Sequence, residues 1–233
     1  MAIAKVGTDG HTECTASGTA VTSALPTSIT DGDLVLLEVS YGSGTGGSGT
    51  TITTPAGWNL LTQVTGTSTR IGVFWRFFVA GDAAPSFTLG TARFWCTHST
   101  AFRGVDTTGT IDQQSPLNYT SAGSYTSPTI TPSVNGCMIV ACWGGKVPSG
   151  TTQTITGAGG WTDGGLTQSA VAAQVNQWAD FQYQLQGAAT AVSEAVTVGQ
   201  AQNAQVCIVA LKPLVVAAAA TPPPFVSQYA GRW

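Results

Sequence analysis

Short apolar runs, each closed by turn residues, set the pattern of this chain. Five stand out, at 33–41, 70–79, 93–102, 137–143 and 205–211. Each is rich in β-branched or aromatic residues and bounded by Gly, Pro, Asn or Asp, the signature of a strand. Segments between them, such as Gly42-Ser43-Gly44-Thr45-Gly46-Gly47, hold too much glycine for a helix, where each glycine costs about 1 kcal/mol. Only 168–177 has some helical character, and Val171, Val175 and Trp178 fit a strand as well. The chain is predicted to be all-β.

The pattern also repeats. The stretch 30–42 aligns with 134–144, anchored by Gly32 on Gly136. Ile52 to Trp58 matches Ile155 to Trp161, and Val73-Phe74-Trp75 matches Asn176-Gln177-Trp178. Phe87-Thr88-Leu89-Gly90 answers Val196-Thr197-Val198-Gly199, and Ala101-Phe102-Arg103 answers Ala210-Leu211-Lys212. Matched anchors in one order predict two sequence-similar halves, about 21–105 and 125–213, with one strand plan. Residues 106–128, rich in Thr, Ser, Gly and Pro, read as the linker.

A half-buried sheet must cover its apolar face, and the natural cover for each half is the other. The expectation is a single β-sandwich of jelly-roll type over 21–213, with two tandem small sandwiches as the alternative. Residues 1–20 form an N-terminal segment, a candidate arm. After Pro213 the character changes: an Ala-rich stretch leads to Pro222, Pro223 and Pro224, which impose an extended polyproline path. Residues 214–233 therefore read as an extended C-terminal arm.

Composition narrows the function. Of 233 residues only 8% are charged, against 42% hydrophobic, so the solvated surface is built from Thr, Ser, Gly, Asn and Gln. A net charge of -3 and eight scattered Lys and Arg give no basic patch for nucleic acid. The first residues lack the apolar core of a secretory signal, and no apolar run is long enough for a membrane helix, which predicts a protein made and kept in the cytosol, away from membranes. Five cysteines without CxxC pairs read as reduced, buried thiols.

No catalytic, cofactor or metal constellation emerges. Asp31 and Asp33, and Asp106 and Asp112, could in principle form acid pairs, but Asp31-Gly32-Asp33 has the chemistry of a turn. Glu38, Asp180 and Glu194 are expected to face solvent or to pair with Arg76, Arg93 or Arg103 across the sheet. His98 and Ser99, adjacent on a strand, point to opposite faces and cannot form a dyad. His11 has no companion at metal spacing. Trp58 and Trp161, and Trp75 and Trp178, recur at matched positions, which favours a shared core or corner over a sugar-stacking platform. Trp95 and Trp143 sit in apolar runs. The residues that stand apart lie in the arm: Pro222, Pro223, Pro224, Phe225, Tyr229, Arg232 and Trp233 combine a stiff path with aromatic and arginine anchors, the makings of a partner-binding segment.

Three motifs carry a resemblance. Gly32-Asp33 before an apolar strand, Thr54-Pro55-Ala56-Gly57-Trp58, and Arg103-Gly104-Val105-Asp106 followed by Ile111-Asp112, together with a closing Ala210-Leu211-Lys212-Pro213, resemble a family of β-sandwich structural proteins of tailed bacteriophage virions and related bacterial surface proteins. The resemblance covers about 25–213. It implies a virion protein, not an enzyme: a capsid decoration (cement) protein whose arm docks on phage capsid or other virion proteins, assembled in the host cytoplasm, as a homo-oligomer with a trimer favoured. The alternative it implies is a tail-fibre or head-fibre adhesin module that binds host polysaccharide.

Overall fold

The computed structural model describes residues 2–42, 51–169 and 174–215, and every named element among them is a β-strand. The first half supplies β1 (Ala4–Glu13), β2 (Gly18–Thr22), β3 (Leu34–Gly42), β4 (Asn59–Thr65), β5 (Thr69–Phe77) and β6 (Ser86–Arg103). The second supplies β7 (Ile111–Thr126), β8 (Cys137–Val147), β9 (Ile155–Gly157), β10 (Thr162–Asp163), β11 (Thr167–Gln168), β12 (Asn176–Gln186) and β13 (Ala195–Leu211). Each half forms its own antiparallel sheet. The first runs β1-β6-β3-β5-β4; the second, read from its first strand, runs β7-β13-β8-β12-β10. Register agrees as well: Leu34 pairs with Phe102 and Phe77, and Met138 pairs with Leu211 and Leu185.

Two segments set outside the sheets by their polar sequence belong to them. The N-terminal segment supplies β1, paired along β6, and the expected linker supplies β7, paired along β13. Both are edge strands with one solvated side, and such strands need no apolar run to form because their neighbour provides the backbone partners. Among the described residues no named strand passes from one sheet to the other. Strands of a jelly roll would be expected to interleave the halves; here each half closes its own sheet.

The packing explains why the strands read as continuous apolar runs. All nine residues of β3 are buried. On one face Leu34, Leu36, Ile71, Val73 and Phe102 share a cluster with Met138, Val140, Phe181, Cys207, Val209 and Leu211, so the two sheets pack face to face. On the other face of the first sheet, Val35, Leu37 and Phe74 are covered by Val21, Ile52, Phe87 and Leu89. The start of β6 and its partner β2 thus fold over the sheet that the rest of β6 belongs to. Trp143, Trp178, Val196 and Val198 make the corresponding cluster on the outside of the second sheet. Each fully buried Leu, Ile or Val in these layers contributes about 1.5–3 kcal/mol relative to an exposed one.

Candidate functional site

The described chain ends at Val215, and its last residues are tied to the joint between the halves. Asp106 N–H donates to Lys212 O at 2.8 Å, Val105 and Pro213 form an antiparallel bridge, and Leu214 N–H donates to Gly104 O at 2.8 Å. Val215 itself is 76% exposed. The arm residues singled out in the sequence, Pro222, Pro223, Pro224, Phe225, Tyr229, Arg232 and Trp233, lie outside the described residues. What the structure places is the root from which they start.

At the same end of the first sheet, but before its far edge strand β4, the Pro55-Ala56-Gly57-Trp58 motif makes a tight turn. Trp58 N–H donates to Pro55 O at 3.1 Å, and Gly57 takes φ 76°, the left-handed value that the third position of a type II turn requires. The second half repeats the device: Trp161 N–H donates to Ala158 O at 3.3 Å, with Gly160 at φ 95°. Only the first copy is fitted with an arginine. The Arg76 guanidinium lies 5.9 Å from the centre of the Trp58 ring and is held by Asp82 at 2.8 Å, while Val79 N–H donates to the same carboxylate at 2.9 Å. A methyl group on Gly57 would meet Arg76 Nη1 at 3.4 Å. In the second half a methyl on Gly160 would instead lie near Gln184. Trp58, Arg76, Pro55 and Ala56 together with residues 83–86 line a groove of about 190 Å³.

The seam between the halves gathers polar groups on its β1–β6 side. His98, with a side chain 0% exposed, shares a hydrogen bond of 3.1 Å with Asp9, which also pairs with Lys5 at 3.0 Å. His11 lies against His98 with the rings tilted at 42° and hydrogen-bonds to Thr167 of the opposite half, and Phe181 meets His98 edge-on. Burial lowers the affinity of His98 for a proton, and Asp9 only partly restores it. Burial and the neighbouring His98 hold His11 down at about 4. Burial would raise the Asp9 carboxyl, but the bonds from His98 and Lys5 outweigh it and hold it below the usual range. Ser99 points to the other face, donating to Ala24 O at 2.7 Å, and so makes no dyad with His98.

The acids settle into turns or into the interior. Asp33 accepts from Thr30 N–H at 2.8 Å and pairs with Arg103 at 2.7 Å, Asp31 accepts from Ala80 N–H, Asp106 caps Thr108 at 2.9 Å, and Asp112 accepts from Ser133. Glu38, Asp180 and Glu194 do not face solvent or pair with arginine, as the sequence had suggested: all three are 0% exposed. Every residue of β3, and of β12 from Asn176 to Gln182, is buried, so alternation there offers Glu38 and Asp180 no solvated side. Burial pushes Glu38 well above the usual carboxylate range, with Asp180 adding to it. Burial pushes Asp180 up to about 8 despite a 2.7 Å bond from Gln182. Glu194, which accepts from Trp143 Nε1–H at 2.9 Å, is also raised by burial to about 8. Among the described residues no three His, Cys, Asp or Glu converge where a metal ion could sit.

The tryptophans divide. Trp58 and Trp161 occupy equivalent turns, but Trp75 and Trp178 do not occupy equivalent positions. Trp75 pairs with Leu36 and packs on the seam, whereas Trp178 pairs with Gly145 in the outer cluster. The residue that answers Trp75 is Tyr183, paired with Val140 on the seam side. The sequence match failed because the second half differs in length between its turn and β12, which shifts the alternation onto the opposite face. All five cysteines are free and buried.

No family model, no curated protein and no solved structure matches this chain.

Proposed function

We propose that the protein is a structural component of a tailed-phage particle, a capsid decoration protein whose β-sandwich body stands on the shell and is held there by residues 222–233. The observation that carries this reading is the root of the arm: Leu214 and Pro213 are fixed by backbone bonds to the joint of the two halves while Val215 emerges exposed. A binding peptide that starts from a braced point loses less entropy on docking than one on a loose tether. The sequence resemblance over 25–213, the surface of uncharged polar residues and the aromatic and arginine content of the arm support the same role. A body made of two face-packed sheets of one strand order suits a passive load-bearing part.

The test is removal of residues 221–233 from the full chain, followed by sedimentation with capsids that lack the protein. Loss of co-sedimentation with an unchanged circular dichroism spectrum and melting temperature is the expected result. Retained attachment, together with binding of host polysaccharide by the truncated chain, would transfer the assignment to a fibre adhesin.

A further inference from the structure

The two sides of the sandwich guard their edges differently. On one side the edge strand β1 carries Lys5, Asp9 and Glu13, and part of its backbone is already taken, since Thr27 N–H donates to Thr8 O at 2.9 Å. The second sheet ends on that side in β10 and β11, two residues each. Charge, a covered backbone and short strands keep a sheet edge from pairing with another chain. On the opposite side β4 and β7 lie against each other, each the last strand of its sheet. β4 holds no charged residue, and β7 holds only Asp112, whose carboxylate accepts from Ser133. From Gln113 to Gly145 the chain carries no charge at all.

β7 is the longer of these two open edges. Its 16 residues pair along β13 on one side, and among the described residues no strand pairs with the other side. Alternate residues of an antiparallel strand turn their N–H and C=O outward, so a strand of this length offers several ladder bonds to a newcomer. Pro116, opposite Cys207, has no N–H to give; it limits that ladder near its start and leaves 117–126 open. Leu117, 39% exposed on the same strand, gives an added strand an apolar side chain to pack on. The absence of charge selects the occupant. A charged peptide finds no counter-charge along 113–126, whereas two uncharged copies of β7 meet without repulsion and, run antiparallel, complement each other about a two-fold axis.

We propose that a second copy of this chain adds to this edge, β7 against β7 antiparallel about a two-fold axis, so that the second sheets of the two copies continue into one. The contact goes beyond the role proposed above and does not depend on it, since it uses neither a capsid nor residues 214–233.

The experiment is sedimentation velocity on the full chain over a range of concentrations, joined to amide hydrogen exchange at the two ends of that range. The expected result is a monomer–dimer equilibrium in which the amides of 117–126 gain protection as the dimer forms. Thr120→Lys with Gly123→Lys sets like charges facing each other across the two-fold contact; Thr120 is exposed and a side chain on Gly123 meets nothing, so the body is untouched. This pair is expected to weaken the dimer at least about tenfold with an unchanged circular dichroism spectrum. Gly159→Lys with Gly187→Lys, which adds the same charge at open turn positions outside β7, is expected to leave it intact. A monomer at every concentration, a trimer, or a dimer indifferent to the β7 lysines would overturn the proposal. So would amides of 117–126 already protected in the dilute monomer, which would mean that the chain covers this edge itself. No capsid enters the measurement, so its failure is separate from a failure to attach to the shell.

Discussion

His11 and His98 lie ring against ring, their centroids 4.4 Å apart, at the seam where the first sheet meets the second. They are the chain's two histidines. One carboxylate, Asp9, serves the pair and is already engaged by Lys5. Burial disfavours charging either imidazole, and a charge on His98 further opposes one on His11.

The first prediction follows from that charge balance. Both histidines hold protons less tightly folded than unfolded, so their contribution to stability is complete above about 6.5 and is lost as pH falls, for His11 through about 4. His11→Gln removes part of that loss; discounted for the exposure of His11, the gain is about 1 kcal/mol at pH 4.5 and nothing at pH 7.5. Urea midpoints measured across that range check it, and an unchanged acid slope counts against the stacked pair.

The buried acids act with the opposite sign. Glu38, Asp180 and Glu194 bind protons more tightly folded than unfolded, so their contribution is whole below about 4 and declines as pH rises, for Asp180 and Glu194 through about 8. Asp180→Asn or Glu38→Gln is expected to stabilise the protein by about 1–3 kcal/mol at pH 8.5 and to leave it nearly unchanged at pH 4. Chemical denaturation at the two pH values decides the matter, and a loss of stability at pH 8.5 would mean these groups are ionised and partnered.

Gly144 marks a close approach between the two sheets. A methyl group there would meet Ile71 Cγ2 at 2.4 Å and Glu38 Oε1 at 2.5 Å. Gly144→Ala is expected to cost about 2–3 kcal/mol through overpacking. Gly123→Ala, where a methyl meets nothing, is the control. Thermal melts of the two variants should separate clearly.

The thiols give a direct measure of the interior. In the native protein none of the five should react with an aromatic disulfide reagent on the timescale of minutes, because burial keeps them protonated and out of reach. All five should react in denaturant. A fast-reacting fraction in native buffer would show that a strand carrying a cysteine opens readily.

Strand positions, the turn glycines and the pairing of Trp58 with Trp161 were legible in the residues, since each depends on a few neighbours along the chain. Gly57 before Trp58 is an example: the left-handed turn needs that residue wherever the motif sits. The burial of Glu38 had a signal too, for it interrupts an apolar run in which both alternating faces are occupied, so neither side of the strand is left to water. That signal was outweighed by the charge of the residue itself.

By itself, then, the sequence determined a β-chain with a duplicated plan, because strand propensity and turn geometry are local properties. The tertiary structure decided which polar segments became the edge strands β1 and β7, which face Trp75 and Trp178 occupy, and that His11 meets His98. Those outcomes rest on register and on contacts between residues a hundred positions apart, where a shift of one residue exchanges the inside of a sheet for its outside.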